Sequence, residues 1–322
     1  MNVFVTGATG VLGRATVPVL IAAGHTVRGM ATSPEHDERL RALGALPVRA
    51  DLVAPASLRS AVAGCDAVLH LASKIPAPPA AQDIQSWQEN DWIRRVGTRH
   101  LVDAALAADV DTVVYPSVVF VYPDRGDAWV DARTPVDPPR TLLSDLDAER
   151  EVARFSGAGR RGVVLRLGRL YGADSPSTVA LLRSARQGIA PVTGRGDAYE
   201  SWICAVDAAT AFLAAIEGVP AGVYDLVDDE PLRRDQEAEV LAWAVGRRQL
   251  TRPKPAALDQ PLGALDEAIG RSVRVSNRLF KEASGWTPRY PSLRQGLAAI
   301  VAAARSPAIP TDVVAASTAS VH

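Results

Sequence analysis

Cysteine is almost absent: only Cys65 and Cys204 occur in 322 residues. No disulfide framework can form, and both thiols read as small buried apolar groups. Lysine is nearly as scarce, since Lys74, Lys254 and Lys281 leave 32 of the 35 basic residues to arginine. Chemistry that needs a lysine between positions 74 and 254 is therefore excluded. The five histidines form no pair at helical metal-ligand spacing, so no metal is expected. A net charge of -1 gives no surplus of either sign, which argues against a nucleic-acid partner and against a charged membrane surface. No apolar run approaches the length of about 18 residues that a membrane span needs. The opening MNVFVTGATG also lacks the basic start and long apolar segment of a secretory signal, so a cytoplasmic location is expected.

What is present is patterned. The length is about twice that of a typical domain, so either one large α/β domain or a core with a smaller lobe is expected. Residues Asn2 to Thr6 read as a strand, followed by a glycine turn and a helix to about Ala23. The alternation continues through HTVRGMA, a helix begun by Ser33 and Pro34, PVRADL, PASLRSAVAG and DAVLHLA. After a proline-rich loop from Ile75 to Ala80, the segment WQENDWIRRVGTRHLVDAALAADV has helical periodicity and DTVVYPS is strand-like. A helix from Asp145 leads to the strand GVVLRLG. Strands alternating with helices predict an α/β fold with a doubly wound parallel sheet. The expected organisation is a nucleotide-binding domain over 1–168, rejoined by about 203–229, and a smaller C-terminal substrate lobe over 169–202 and 230–305. A frayed or partner-packed tail covers 306–322.

Gly7, Gly10 and Gly13 form G-x-x-G-x-x-G between the first strand and the first helix. Small residues there let backbone N–H groups of Thr9, Val11 and Leu12 approach a pyrophosphate, so a Rossmann-type dinucleotide site is expected. An acid at the end of the second strand would favour NAD, but Met30-Ala31-Thr32-Ser33 supplies none. Thr32 is left as the ribose neighbour and Arg14 as the cation available to a 2′-phosphate, which favours NADP slightly over NAD.

These residues resemble the extended short-chain dehydrogenase/reductase family, which includes NAD-dependent epimerases and dehydratases. The resemblance covers roughly residues 1 to 300 and rests on TGATGVLG, Asp51-Leu52, VLHLA, VGTRHLVDAA, VVYPSVVFVY, VLRLGRLYG, WICAVDAATA and NRLFKEASGWTPRYPSLRQGL, in that order. It implies that Asp51 and Leu52 meet the adenine. It also implies that Leu71, Ala72 and Ser73 meet the inner ribose and pyrophosphate. The family's redox chemistry relies on a Ser or Thr, a Tyr with a Lys four residues later, and a supporting Asn. Lysine lowers the tyrosine pKa so that the phenol can exchange a proton. Carried over onto this chain, those positions fall on Val118, Thr141, Asp145 and Arg94, and all four are replaced. Ser117 is the nearest hydroxyl, on the opposite face of its strand. No tyrosine of the six is followed four residues later by lysine.

Substrate recognition departs as well. Glu200 occupies the place where nucleotide-sugar members carry an arginine, and an acid there would repel a diphosphate. Trp87, Trp92, Trp129 and Trp202 fall in segments that line the family's substrate cleft, so a small apolar or aromatic molecule is the expected partner. A homodimer is compatible with this reading. Tyr122, Thr141 and Asp145 are the candidate catalytic groups. Three functions follow, in this order: a non-redox step such as cyclisation, isomerisation or dehydration; an NAD(P)H-dependent reduction without the usual tyrosine–lysine pair; and non-catalytic sensing of the dinucleotide.

Overall fold

The computed structural model describes residues 1–77, 79–192, 194–252 and 263–305, so the expected tail lies outside the described residues. Seven strands form one sheet: β1 (Asn2–Thr6), β2 (Thr26–Ala31), β3 (Leu46–Arg49), β4 (Ala67–His70), β5 (Thr112–Val118), β6 (Arg161–Leu167) and β7 (Gly222–Leu226). Their order is β7-β6-β5-β4-β1-β2-β3, and every neighbouring pair is parallel. Side chains alternate across it, as strand geometry requires. Val3 and Val5 enter a core with Val17, Leu20 and Phe212, while Phe4 enters a second core with Leu58, Leu101 and Phe155. Both faces are therefore buried, which explains why the strands read as nearly continuous apolar runs.

Six helices flank the sheet: α1 (Val11–Ala22), α2 (Pro34–Ala42), α3 (Pro55–Val62), α4 (Thr98–Ala107), α5 (Leu143–Gly157) and α6 (Ala205–Glu217). Chain order reverses between β1 and β4, and the crevice at their carboxyl ends is where doubly wound sheets bind ligands. Three two-stranded pairs lie beyond the sheet. They are Arg169–Tyr171 with Trp202–Cys204, Tyr199–Glu200 with Leu232–Arg233, and Trp129–Val130 with Arg274–Val275.

Two expected elements differ in detail. The third strand stops at Arg49, because Asp51 folds back to accept from the Val53 N–H at 3.0 Å and turns the chain before Leu52. The long helix expected after Trp87 is broken into Gln88–Trp92, a π-helical turn at Ile93–Gly97, and α4. A π turn carries one extra residue, which re-aims a side chain and often marks a functional position. Here it carries Arg94.

Candidate active site

The glycine turn is built in unequal parts. Gly7 adopts φ +64°, and a Cβ on it would lie 2.5 Å from the Leu71 carbonyl; a Cβ on Gly13 would lie 2.4 Å from the Ala8 and Gly7 backbone. Both glycines are demanded by the fold itself. Gly10 is exposed, and a Cβ there would meet only the Gly7 oxygen, at 3.2 Å. It is the N-cap of α1 and offers no side-chain cap, so the first-turn N–H groups at Val11, Leu12 and Gly13 are left for a ligand. This cradle fits a pyrophosphate.

Around it, Leu71 is buried, Ala72 half-buried and Ser73 exposed. Thr9 contributes a carbonyl that accepts from Arg14 at 2.8 Å, and Arg14 also pairs with Asp174 at 2.7 Å. Arg14 thus ties the turn to the segment beyond β6, and meeting a 2′-phosphate would require release of Asp174. At the end of β2, Thr32 contacts His36 Nδ1 at 3.1 Å and Ser33 caps α2. Asp51 stands at the surface with its Val53 turn, and Leu52 is buried, its carbonyl accepting from His100 at 2.7 Å.

Sequence reasoning passed over one residue that joins these parts. Buried His70, at the end of β4, contacts Thr6 Oγ1 through Nδ1 at 2.7 Å and Thr98 Oγ1 through Nε2 at 3.1 Å. Thr6 in turn accepts from the Ala72 N–H at 3.2 Å. Burial pushes the imidazole down to about 4, so it is neutral at pH 7. The ring links the glycine turn to the first residue of α4, directly after the π turn. Its polar neighbours, Thr6 and Thr98, lay far apart in sequence and gave no local signal.

At the far end, two of the positions on which the family's catalytic groups were expected to fall come together as a charged pair. Arg94 Nη1 lies 2.8 Å from Asp145 Oδ2, and both side chains are buried. The contact is an ion pair without hydrogen-bond alignment. Both Asp145 oxygens, Arg94 Nη1, Thr141 Oγ1, Ser117 Oγ and Asn90 Nδ2 have no hydrogen-bond partner among the described residues. All six atoms are closed to solvent, so burial leaves the Arg94–Asp145 contact as the main compensation for the two charges.

Burial pushes the Asp145 carboxyl up to about 7, with Arg94 opposing and Glu149 and Asp91 adding to the rise. The folded protein therefore holds a proton that the unfolded chain, near pKa 3.9, has already lost. Stability from this group is full below pH 4 and falls as pH rises from about 4 to 7, by up to about 1.4 kcal/mol per pH unit. Asp145→Asn is expected to flatten the dependence of unfolding free energy on pH by about one proton between pH 5 and 7. Urea unfolding at several pH values measures this, and an unchanged slope would mean that Asp145 is ionised throughout.

Tyr122 does not join this pair. It follows β5, has no exposed surface, donates to Asp225 at 2.8 Å and accepts from Arg166 at 3.0 Å; Arg166 is held in turn by Glu149 at 2.7 and 2.9 Å. Burial and Asp225 push its phenol well above the usual range, as burial and Asp145 do for Tyr115. A phenol so placed is a poor proton donor, and this candidate catalytic group is held inside the core network.

The four tryptophans do not share one cleft either. Trp87 is buried and donates to the Ala81 carbonyl, Trp92 packs edge-on to His100, Trp129 is half exposed beneath Arg274, and Trp202 lies buried under Arg169. The half-buried surface beside Val118 is instead made by Phe120, Val136, Leu146 and Ile269. Glu200 is corrected as well: it is fully buried and paired with Arg234 and Arg169, so its charge is neutralised inside the protein.

No group of three metal-ligating side chains occurs among the described residues, and no helix among them is long and apolar enough to cross a membrane.

A parallel sheet with a glycine cradle at its switch point is the scaffold of a dinucleotide-binding α/β protein. The family model for the NAD dependent epimerase/dehydratase family matches residues 3–226, and the chain belongs to that family. Among curated relatives, a 3-diazoavenalumate denitrifying reductase from a Streptomyces species is 32% identical, covering 92% of this chain and 99% of that protein. A 2-alkyl-3-oxoalkanoate reductase from Shewanella oneidensis is 29% identical, covering 84% of this chain and 73% of that protein. The crystal structure of human epimerase family protein SDR39U1 with NADPH superposes with a TM-score of 0.80 at 25% identity, covering 94% of this chain and 99% of that one.

Proposed function

We propose that this chain is an NAD(P)H-dependent reductase of a small apolar or aromatic molecule, working without a tyrosine acid. The observation that carries the reading is the buried Arg94–Asp145 pair, 2.8 Å apart, at the positions where the family keeps its asparagine and lysine. Support comes from the reductases among its relatives and from the cradle, which accepts a pyrophosphate at Gly10. When bound, the reduced nicotinamide supplies a hydride.

The chain's own residues do the rest. Gly7, Gly10, Gly13 and the start of α1 hold the phosphates, as Asp51, Leu52, Leu71, Ala72 and Ser73 flank the adenosine half. Asp145, Thr141 and Ser117 offer oxygens to hydroxyl groups of the cofactor's ribose or of the substrate. Lysine would offer only donors there, whereas Asp145 accepts. The apolar wall of Val118, Phe120 and Ile269 excludes water from one side. Water reaching the open side provides the proton that the absent phenol would have given. NADP is favoured slightly over NAD, since no acid stands at the end of β2. Asp37, in the next helix, is held by Arg49 at 2.7 Å.

A non-redox use of the same pocket for cyclisation, isomerisation or dehydration is favoured only by the missing tyrosine–lysine pair. One assay separates the two. A 2-alkyl-3-oxo acid and an aryl diazonium carboxylate, patterned on the relatives' named substrates, are incubated with NADPH or NADH against protein-free controls. The reductase reading expects oxidation of the cofactor equal to product formed; product without cofactor loss would replace it with the non-redox reading.

A further inference from the structure

The smaller lobe carries a second group of buried charges that the proposed reaction does not use. Arg234, Glu200 and Glu237 are fully buried, and Arg169 joins them with its side chain 25% exposed. Arg169 Nη1 reaches Glu200 at 3.2 Å and Glu237 at 4.0 Å. Its guanidinium carbon lies 4.7 Å from the centre of the Trp202 ring, a cation–π contact. Nε and Nη2 of Arg169 have no partner among the described residues.

The place matters as much as the charge. Leu167 pairs in register with Val118, and Arg169 follows it by two residues, so its backbone stands just past the carboxyl edge of the sheet, while Arg234 Nη2 donates to the carbonyl of Ile269, which packs in the same cluster as Val118. Burial, with Glu200 beside it, pushes the Glu237 carboxyl above the usual carboxylate range, so the pair of acids carries less negative charge than the two guanidinium groups carry positive. The surplus positive charge surfaces only at Arg169. The buried Trp202 Nε1 and Arg234 Nε also lack hydrogen-bond partners among the described residues.

We propose that Arg169, lying over Trp202 and backed by Glu200, Arg234 and Glu237, binds a carboxylate on the substrate, with an apolar or aromatic body lying toward Val118 and Phe120. This rests on the reductase reading for the identity of the cleft and adds the substrate class, a small aromatic or apolar acid. A planar fork with a free edge matches a carboxylate in two parallel bonds, and the aromatic face beneath it holds the orientation. Glu200 acts through Arg169 as a positioning residue, which reverses the repulsion that its charge suggests in the sequence.

The test is calorimetric titration of the full chain, saturated with NADP+, using cinnamate and its neutral isostere cinnamamide. Cinnamate is expected to bind at least about tenfold more tightly than the amide, the usual margin for a charge-assisted pair. Arg169→Gln should erase that preference, and Arg169→Lys should keep part of it. NADPH titration and a melting curve on the same samples report folding and cofactor binding independently. Equal binding of acid and amide by the wild-type protein, or binding of neither, overturns the proposal without any variant being needed. So does an acid preference that survives Arg169→Gln, and so does tighter binding of UDP than of cinnamate, which would assign the fork to a phosphate. None of these outcomes depends on turnover, so the reductase reading stands or falls separately in the cofactor-oxidation assay.

Discussion

Arg94→Leu is expected to lower the stability of the folded chain by about 3–5 kcal/mol at pH 8, because it strands a buried carboxylate. Asp145 has no exposed surface and no other cation at ion-pair distance among the described residues. The loss should shrink at pH 5. There Asp145, already pushed up to about 7, takes a proton and no longer needs its partner. The variant Arg94→Leu with Asp145→Leu should lose far less than the sum of the single changes, since it removes both charges together. Urea unfolding of the four proteins at both pH values reads the coupling. Additive losses with no pH dependence would show that the contact is incidental and that the exchanged charges do not act as a unit.

Gly7 and Gly10 should respond in opposite ways. Gly7→Ala places a side chain at φ +64° and 2.5 Å from the Leu71 carbonyl. Positive φ alone costs about 1–2 kcal/mol, and forcing the backbone apart adds roughly 1–3 more, a large part of a typical total stability of about 5–15 kcal/mol. Gly10→Val keeps an extended backbone at φ -75° and ψ 179°, meets only one oxygen at 3.2 Å, and should change stability by about 1 kcal/mol or less. Its side chain instead stands where the phosphates approach. NADPH affinity should fall by at least about tenfold, or 1.4 kcal/mol. Melting curves and NADPH titrations of both variants test the division. A Gly10→Val protein that melts normally and binds NADPH like the wild type would remove the glycine turn from the site.

Much of the larger body was legible in the sequence because its signals are local. Six strands of the sheet, the cradle and the cap of α2 follow from apolar runs, glycines and Ser33-Pro34 read within a few residues. The candidate site was legible only as a list of positions. The resemblance leads one to expect Arg94, Asp145 and Val118 in place of the family's Asn, Lys and Ser/Thr, but nothing local says that Arg94 and Asp145 meet across 51 residues, because an ion pair is a property of the π turn meeting α5. Tyr122 misled for the same reason. Its place at a strand end suggests a cleft, while Asp225 and Arg166, which bury and hold its hydroxyl, come from β7 and β6. The charge of Glu200 alone suggests repulsion of a diphosphate, whereas its two arginine partners lie 31 and 34 residues away.

The central claim is reduction without a phenolic acid. Once an acceptor is found, the rate of NADPH oxidation by Tyr115→Phe and by Tyr122→Phe, each measured per folded molecule across pH 6 to 9, tests it most directly. The account predicts turnover within about threefold of wild type for both variants and no change in the shape of the pH profile, since general acid catalysis by a side chain contributes about 10²–10⁴-fold where it operates. A loss of that size in either variant, together with disappearance of a basic limb in the profile, would contradict it and restore a tyrosine to the reaction.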